Sequence, residues 1–180
     1  MTGPCFVDAN VLVYIRDPRD PEKQLRAAAW RDHLWLSGLG RTSVQALSET
    51  YAVLRRIRRD APAGELWDGI ALYFAWNPHP VDEALMRRAR EIEQRFRISW
   101  WDSMIVAAAQ LQDCTLLLTE DLQDGGAYGT VTVRSPFTLE VREAAATYAV
   151  QPRAASPHRP RGRPRRVEKS GTDHYFRKQK

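Results

Sequence analysis

The stretch FVDANVLVY, residues 6–14, decides how the rest of the chain is read. Its apolar lead-in, Cys5, Phe6 and Val7, stops at an acid, Asp8. A short apolar run closed by a polar residue predicts a buried strand over about residues 4–8. NVLVY, residues 10–14, then starts a turn or helix. In an open parallel sheet, ligands bind beyond the carboxyl ends of the strands. An acid that ends an apolar strand is also a poor choice for packing, which makes Asp8 the first candidate site residue.

Outward from this stretch, helices and apolar runs alternate. DPRDPE at 17–22 is turn-like, with Pro21 suited to a first helical position, and a helix follows to about residue 37. Thr42 or Ser43 caps a second helix running to about Arg59. Val44, Leu47, Tyr51 and Leu54 recur at spacings of three and four and predict its buried face. DAPAG at 60–64 breaks it, and a third helix is expected over 65–75. WNPHPV at 76–81 suggests a short strand between prolines. Further helices are expected over 82–97 and about 100–112, and strands at TLLL (115–118) and TVTV (130–133), joined by a loop, LQDGGAYG. Helices between apolar strands predict an α/β fold, a mostly parallel central sheet with helices on both faces. No internal repeat is visible.

Four acids fall at loaded places. Asp8 closes the first strand, Glu49 lies in the second helix, Asp102 opens the helix of SWWDSMIVAAA, and Asp121 follows TLLL. If they converge, each ionised pair 4 Å apart costs about 4 kcal/mol at an effective dielectric of 20. A compensating cation is then needed, and oxygen donors without Cys or His favour Mg²⁺, or Mn²⁺, over zinc. Each acid also has a plainer reading. Asp102 serves equally as a helix cap, Glu49 as a solvated helix residue and Asp121 as a turn former.

Four blocks, FVDANVLVY (6–14), TSVQALSETYAVLRR (42–56), SWWDSMIVAAAQ (99–110) and LLLTEDLQDG (117–126), resemble in order the acid-bearing motifs of PIN-domain ribonucleases of the VapC toxin type. The resemblance spans about residues 5–135. It implies a PIN-like fold and a metal-dependent endoribonuclease, commonly the toxin of a toxin–antitoxin pair, with Asp8, Glu49, Asp102 and Asp121 as catalytic metal ligands. Asn10, Ser103 and Asp124 lie beside those acids as candidates to support water or metal, and Thr119 stands where the family often carries a small hydroxyl. A cognate antitoxin and a homodimer are the implied protein partners. Competing readings are a nucleic-acid-tethered PIN-like binding protein and a DNA nuclease or phosphatase using the same carboxylates.

Composition divides the chain in two. Residues 151–180 carry ten Lys/Arg against two acids, a net charge of +8, which leaves −3 on residues 1–150. Residues 1–145 are expected to form the PIN-like nuclease domain, and residues 146–180 a basic Pro/Arg-rich tail too poor in apolar residues to fold. Within it, HRPRGRPRR (158–166) places Arg159, Arg161, Arg163, Arg165 and Arg166 together. RGRP resembles an AT-hook core for the minor groove of DNA, whereas any arginine-rich arm contacts RNA or DNA phosphates without sequence preference. The lack of an apolar run of membrane-spanning length and of a secretory signal, with two cysteines that read as buried reduced thiols, points to a cytoplasmic protein. The aromatic stretch Trp67, Tyr73, Phe74 and Trp76 fits a core or a protein-docking surface, and one of Trp100 and Trp101 is expected to pack beneath the site. RRIRR at 55–59 fits either a dipole-complementing helix end or a guide for RNA, and His33 and His79 receive no role.

Overall fold

The computed structural model describes residues 3–141. Expectations for the tail, residues 146–180, lie outside them. Helices and strands follow in the order β1 (Cys5–Val7), α1 (Ala9–Tyr14), α2 (Pro21–Ser37), β2 (Gly40–Arg41), α3 (Val44–Ile57), α4 (Ala63–Ala71), α5 (Glu83–Phe96), α6 (Trp100–Leu111), β3 (Leu116–Leu118), β4 (Ala127–Tyr128) and β5 (Val131–Arg134). The sheet order is β2-β1-β3-β5-β4; all neighbours pair in parallel except β4 with β5.

The period of two along each strand splits the core between the two faces. Cys5, Val7, Leu116 and Leu118 pack with residues of α1, α2, α3 and α4, including Trp30, Leu34, Leu54 and Leu66. Phe6, Leu117, Val131 and Val133 pack on the other face with Leu85, Ala89 and Ile92 of α5 and the buried alanines of α6. Ala107, Ala108 and Ala109 carry little side-chain bulk, so α6 approaches the sheet closely. Helices therefore cover both faces, as the alternating pattern predicts. Cys5 and Cys114 are buried free thiols, and among the described residues no helix is long and apolar enough to cross a membrane.

Local chemistry sets the helix boundaries. Ser43, rather than Thr42, caps α3 by accepting from Ala46 N at 3.1 Å; Asp82 caps α5 through Leu85 N at 2.8 Å, and Ser99 caps α6. Asn77 and Arg97 end their helical segments in the left-handed region, at φ 51° and 54°. Leu47 and Leu54 are buried and Tyr51 half-buried, but Val44 in the first turn of α3 is exposed, one departure from the expected buried face.

The strand expected over 76–81 is not one. Leu72–Trp76 forms a 3-10 turn, and the segment beyond it makes an isolated parallel bridge, His79 with Ser43, outside the strands of the sheet. The edge position belongs instead to β2, whose two residues, Gly40 and Arg41, carry no apolar pattern to announce a strand. Gly40 is there for space: a Cβ on it would lie 2.5 Å from Cε2 of the buried Trp76. The loop expected after β3 contains one unforeseen element, β4, which forms a short hairpin with β5. Of the aromatic stretch, Tyr73 and Trp76 are core while Trp67 and Phe74 are exposed.

Gly40→Ala is expected to destabilise the full chain by about 1–3 kcal/mol, the usual cost of forcing bulk into a packed site. Gly64→Ala, in α4 with open space around it, should be neutral or gain up to about 1 kcal/mol. Urea denaturation of both variants separates the two cases, and equal midpoints would show that Trp76 yields freely.

Candidate metal and phosphate site

The register of β1 with β3 pairs Val7 with Leu118, so the next residues on each strand, Asp8 and Thr119, emerge side by side at the carboxyl edge. Asp8 N–H donates to Leu118 O at 3.1 Å, carrying the pairing one step past the strand. The Asp8 side chain caps α1, accepting from Ala9 N–H at 2.7 Å through Oδ1. Its other oxygen, Oδ2, accepts from the Thr119 hydroxyl at 2.8 Å. Thr119 Oγ1 in turn accepts from Asp121 N–H at 3.1 Å and from Asn10 Nδ2 at 2.8 Å. The same Asn10 amide donates to Asp121 Oδ2 at 2.9 Å and, more weakly, to Asp8 Oδ2 at 3.4 Å. Asn10 thus ties two carboxylates to one hydroxyl, which leaves its own buried Oδ1 without a partner.

Burial dominates the electrostatics. Asp8 is only 6% exposed. Desolvation pushes its carboxyl up to about 7; the hydrogen bonds from Thr119 and Ala9 pull the other way, and the charges of Asp121 and Glu49 add to the rise. Two of the other sequence-chosen acids, Asp121 and Glu49, thus bear on Asp8. Glu49, on α3, accepts from Gln45 Nε2 at 2.8 Å. Asp102 stands in the first turn of α6, where the helix dipole favours a negative charge, and its Oδ2 accepts from Ser99 Oγ at 2.7 Å. The capping role weighed for Asp102 falls instead to Ser99, which accepts from Asp102 N–H at 3.1 Å and donates to its carboxylate. Ser103 is fully buried and donates to Ser99 O at 2.7 Å, supporting the helix start. Asp124 is committed elsewhere: it accepts from Arg134 Nε, Ser135 N–H and Thr138 Oγ1, bracing the turn after β5. Trp100 is half-buried against the second core cluster, and Trp101 points outward at 63% exposure.

The donor chemistry suits a hard divalent cation. Asp8 and Asp121 offer oxygen ligands joined through one amide, Glu49 adds charge, and no thiolate or imidazole competes. Among the described residues no three acidic, thiol or imidazole side chains already close on one point. Close approach of bare carboxylates is opposed by their charge, so the open arrangement is the one expected before a cation enters.

Beside Asp121, a cleft of ≈ 280 Å³ carries a feature the sequence reading passed over. Asp17 and Arg19, read only as part of a turn, form a two-pronged pair across Nε–Oδ1 at 2.8 Å and Nη2–Oδ2 at 2.6 Å. Arg19 N–H also donates to Asp17 Oδ1, so the Asp-Pro-Arg turn is closed on itself. The Arg19 guanidinium holds the Asp17 carboxyl below the usual range. Arg19 is the only cation among the residues lining this cleft, which also include Glu49, Glu120 and Asp121. Glu120 is neutralised from outside by Lys23, at 2.6 Å, which also lies over the rings of Tyr14 and Phe137. The available signal was Asp-Pro-Arg at 17–19, an acid and a base held two residues apart across a proline just after α1.

No curated protein matches the chain. Among solved structures, a toxin–antitoxin complex from Klebsiella pneumoniae is similar at a TM-score of 0.53 and 16% identity, over 76% of this chain and 99% of that one. The sarcin-ricin loop cleaving toxin VapC20 of Mycobacterium tuberculosis is similar at a TM-score of 0.51 and 20% identity, over 65% of this chain and 89% of that one. At these identities the likeness is one of fold. The PIN domain family model matches residues 5–123, a span that holds β1, β3 and all four sequence-chosen acids, and the chain belongs to the PIN domain family.

Proposed function

We propose that this protein is a metal-dependent endoribonuclease, the toxin of a VapC-type toxin–antitoxin pair. The observation that carries the reading is the linked set Asp8, Thr119, Asn10 and Asp121 at the carboxyl ends of β1 and β3, with the charge of Glu49 bearing on Asp8. The two similar structures, a toxin–antitoxin complex and a sarcin-ricin loop cleaving toxin, support an antitoxin partner and an RNA substrate. Homodimerisation and a cytoplasmic location complete the proposal.

In this reading Asp8, Asp121, Glu49 and Asp102 hold Mg²⁺ or Mn²⁺. Such an ion supplies positive charge to the scissile phosphate and activates water. The chain's own part is to keep the carboxylates in place. Thr119 and Ala9 N–H fix both oxygens of Asp8, and Asn10 fixes the distance to Asp121. Arg19, locked by Asp17 through two of its three nitrogens, offers its remaining edge to an RNA phosphate in an otherwise acidic cleft. The acidic body repels a polyanion at long range, so the +8 tail is assigned the first contact with RNA, or with DNA, through Arg159, Arg161, Arg163, Arg165 and Arg166.

Cleavage of RNA by the purified full chain should require Mg²⁺ or Mn²⁺ and stop on chelation. Asp8→Asn and Asp121→Asn should remove cleavage while the protein stays folded, and Thr119→Val, which touches the acids only from behind, should cost roughly 10–100-fold. Undiminished cleavage in folded Asp8→Asn would refute the site. Expression without its antitoxin should arrest growth in the wild type and not in Asp8→Asn.

The raised carboxyl of Asp8 makes a separate prediction about the metal-free protein. Unfolded, Asp8 loses its proton near 3.8; folded, it keeps it to about 7. The native state binds the extra proton between those values, so stability falls with rising pH. The fall is about 1.4 kcal/mol per pH unit from about pH 4 to 7, relative to Asp8→Asn. Urea melts of both proteins across that range, with and without Mg²⁺, test it. Parallel pH profiles without metal would show that Asp8 ionises freely in the fold.

A further inference from the structure

Glu49 lines two depressions. One is the carboxylate cleft beside Asp121; the other is an apolar groove of ≈ 480 Å³ formed by Val44, Gln45, Val81, Trp101 and Met104. Three of these apolar side chains are exposed, Val44 at 42%, Val81 at 51% and Trp101 at 63%. Val44 is the same residue whose place in the α3 pattern predicts burial, and Trp101 immediately precedes Asp102. A large aromatic left in water at the first turn of α6 gains nothing for the fold.

Gln45 supplies a second, independent observation. It is only 8% exposed, and its Nε2 is committed to Glu49 Oε1 at 2.8 Å. That bond fixes the amide, because the flipped amide would set oxygen against the Glu49 carboxylate. The result is a buried carbonyl oxygen, Oε1, with no hydrogen-bond partner, on a side chain that lines the groove. A buried acceptor without a donor is costly, and a ligand edge carrying an N–H relieves it.

We propose that this groove is a nucleobase subsite. On the ribonuclease reading above, the RNA strand passes over Glu49: the scissile phosphate lies on the carboxylate side, and a flanking base enters the groove. There the base stacks on Trp101, with Val44, Val81 and Met104 around it, and turns an N–H toward Gln45 Oε1. Unstacked RNA bases are bound in this way, on an aromatic face with polar groups reading the edge. The occupant is a base rather than a peptide side chain because the groove shares Glu49 with the carboxylate cleft and sets one planar aromatic surface beside the polar side chains of Gln45, Ser48 and Glu49. Gln45 then links base recognition to Glu49, one helical turn away on α3.

The test uses the full chain, Mg²⁺ and a cleavable RNA carrying a single abasic nucleotide moved through the positions flanking the cut. In the wild type, one abasic position should lower kcat/KM by about tenfold, the scale of one lost base stack. Trp101→Ala should lose a similar factor on intact RNA, mostly in KM, and nothing further on that abasic RNA. Trp101→Phe should restore most of the loss. Because Trp101 is exposed, its variants should melt as the wild type does. Additive losses from Trp101→Ala and the abasic position would overturn the proposal, as would an absence of any sensitive position. So would wild-type cleavage by Trp101→Ala together with loss of self-association or antitoxin binding, which would make the groove a protein contact. If the wild type cleaves no RNA with Mg²⁺, the ribonuclease reading itself fails and the subsite falls with it.

Discussion

A carboxylate sits nearly out of water at the end of β1, and the contacts around it hold it there. Asp8 N–H extends the β1–β3 pairing, Oδ1 caps α1, and Oδ2 takes the Thr119 hydroxyl. One residue therefore couples two parallel strands to the first helix. The direction of α1 is set by the cap; α1 carries Asn10, and Asn10 reaches back across the strands to Asp121. Burying an ionised group without a cation is expensive. The carboxyl responds by holding its proton to about 7. The retained proton is one answer to that electrostatic problem, and on the proposed reading a bound cation would be the other.

Most of the architecture is legible in the sequence because it depends on strong local signals. CFV and LLL are apolar runs closed by polar residues, and each becomes a fully buried strand. Serine and aspartate caps stand where α3, α5 and α6 begin. The misses fall where tertiary contacts decide. Gly40 and Arg41 form a strand only because β1 offers them partners, and WNPHPV lacks such partners beyond a single bridge. The exposure of Val44 follows from what lies beside α3, not from its own spacing.

The candidate site divides in the same way. Asp8, Asp121, Thr119 and Asn10 can be read as a set because they follow two neighbouring strands, and neighbouring strands deliver their next residues to the same edge. Asp124 has the same local look as Asp121 but is consumed by Arg134, Ser135 and Thr138 three residues further along the loop. Sequence proximity to an acid cannot distinguish a ligand from a turn brace. The Asp17–Arg19 pair was hidden for the opposite reason. Both residues fit a turn so well that their role as a rigid cation mount shows only when the cleft beside them is seen.

Both margins of the sheet are two-residue strands, β2 on one side and β4 on the other. A flat, long margin with free N–H and C=O groups is a template on which another chain can add a strand. Here β2 offers two residues, one of them a glycine pressed beneath Trp76, and β4 is bent back into a hairpin. The central strands, the most apolar segments of the chain, are shielded on both flanks. Among the described residues, neither margin offers the long, flat run of open backbone groups from which edge-to-edge fibril growth starts.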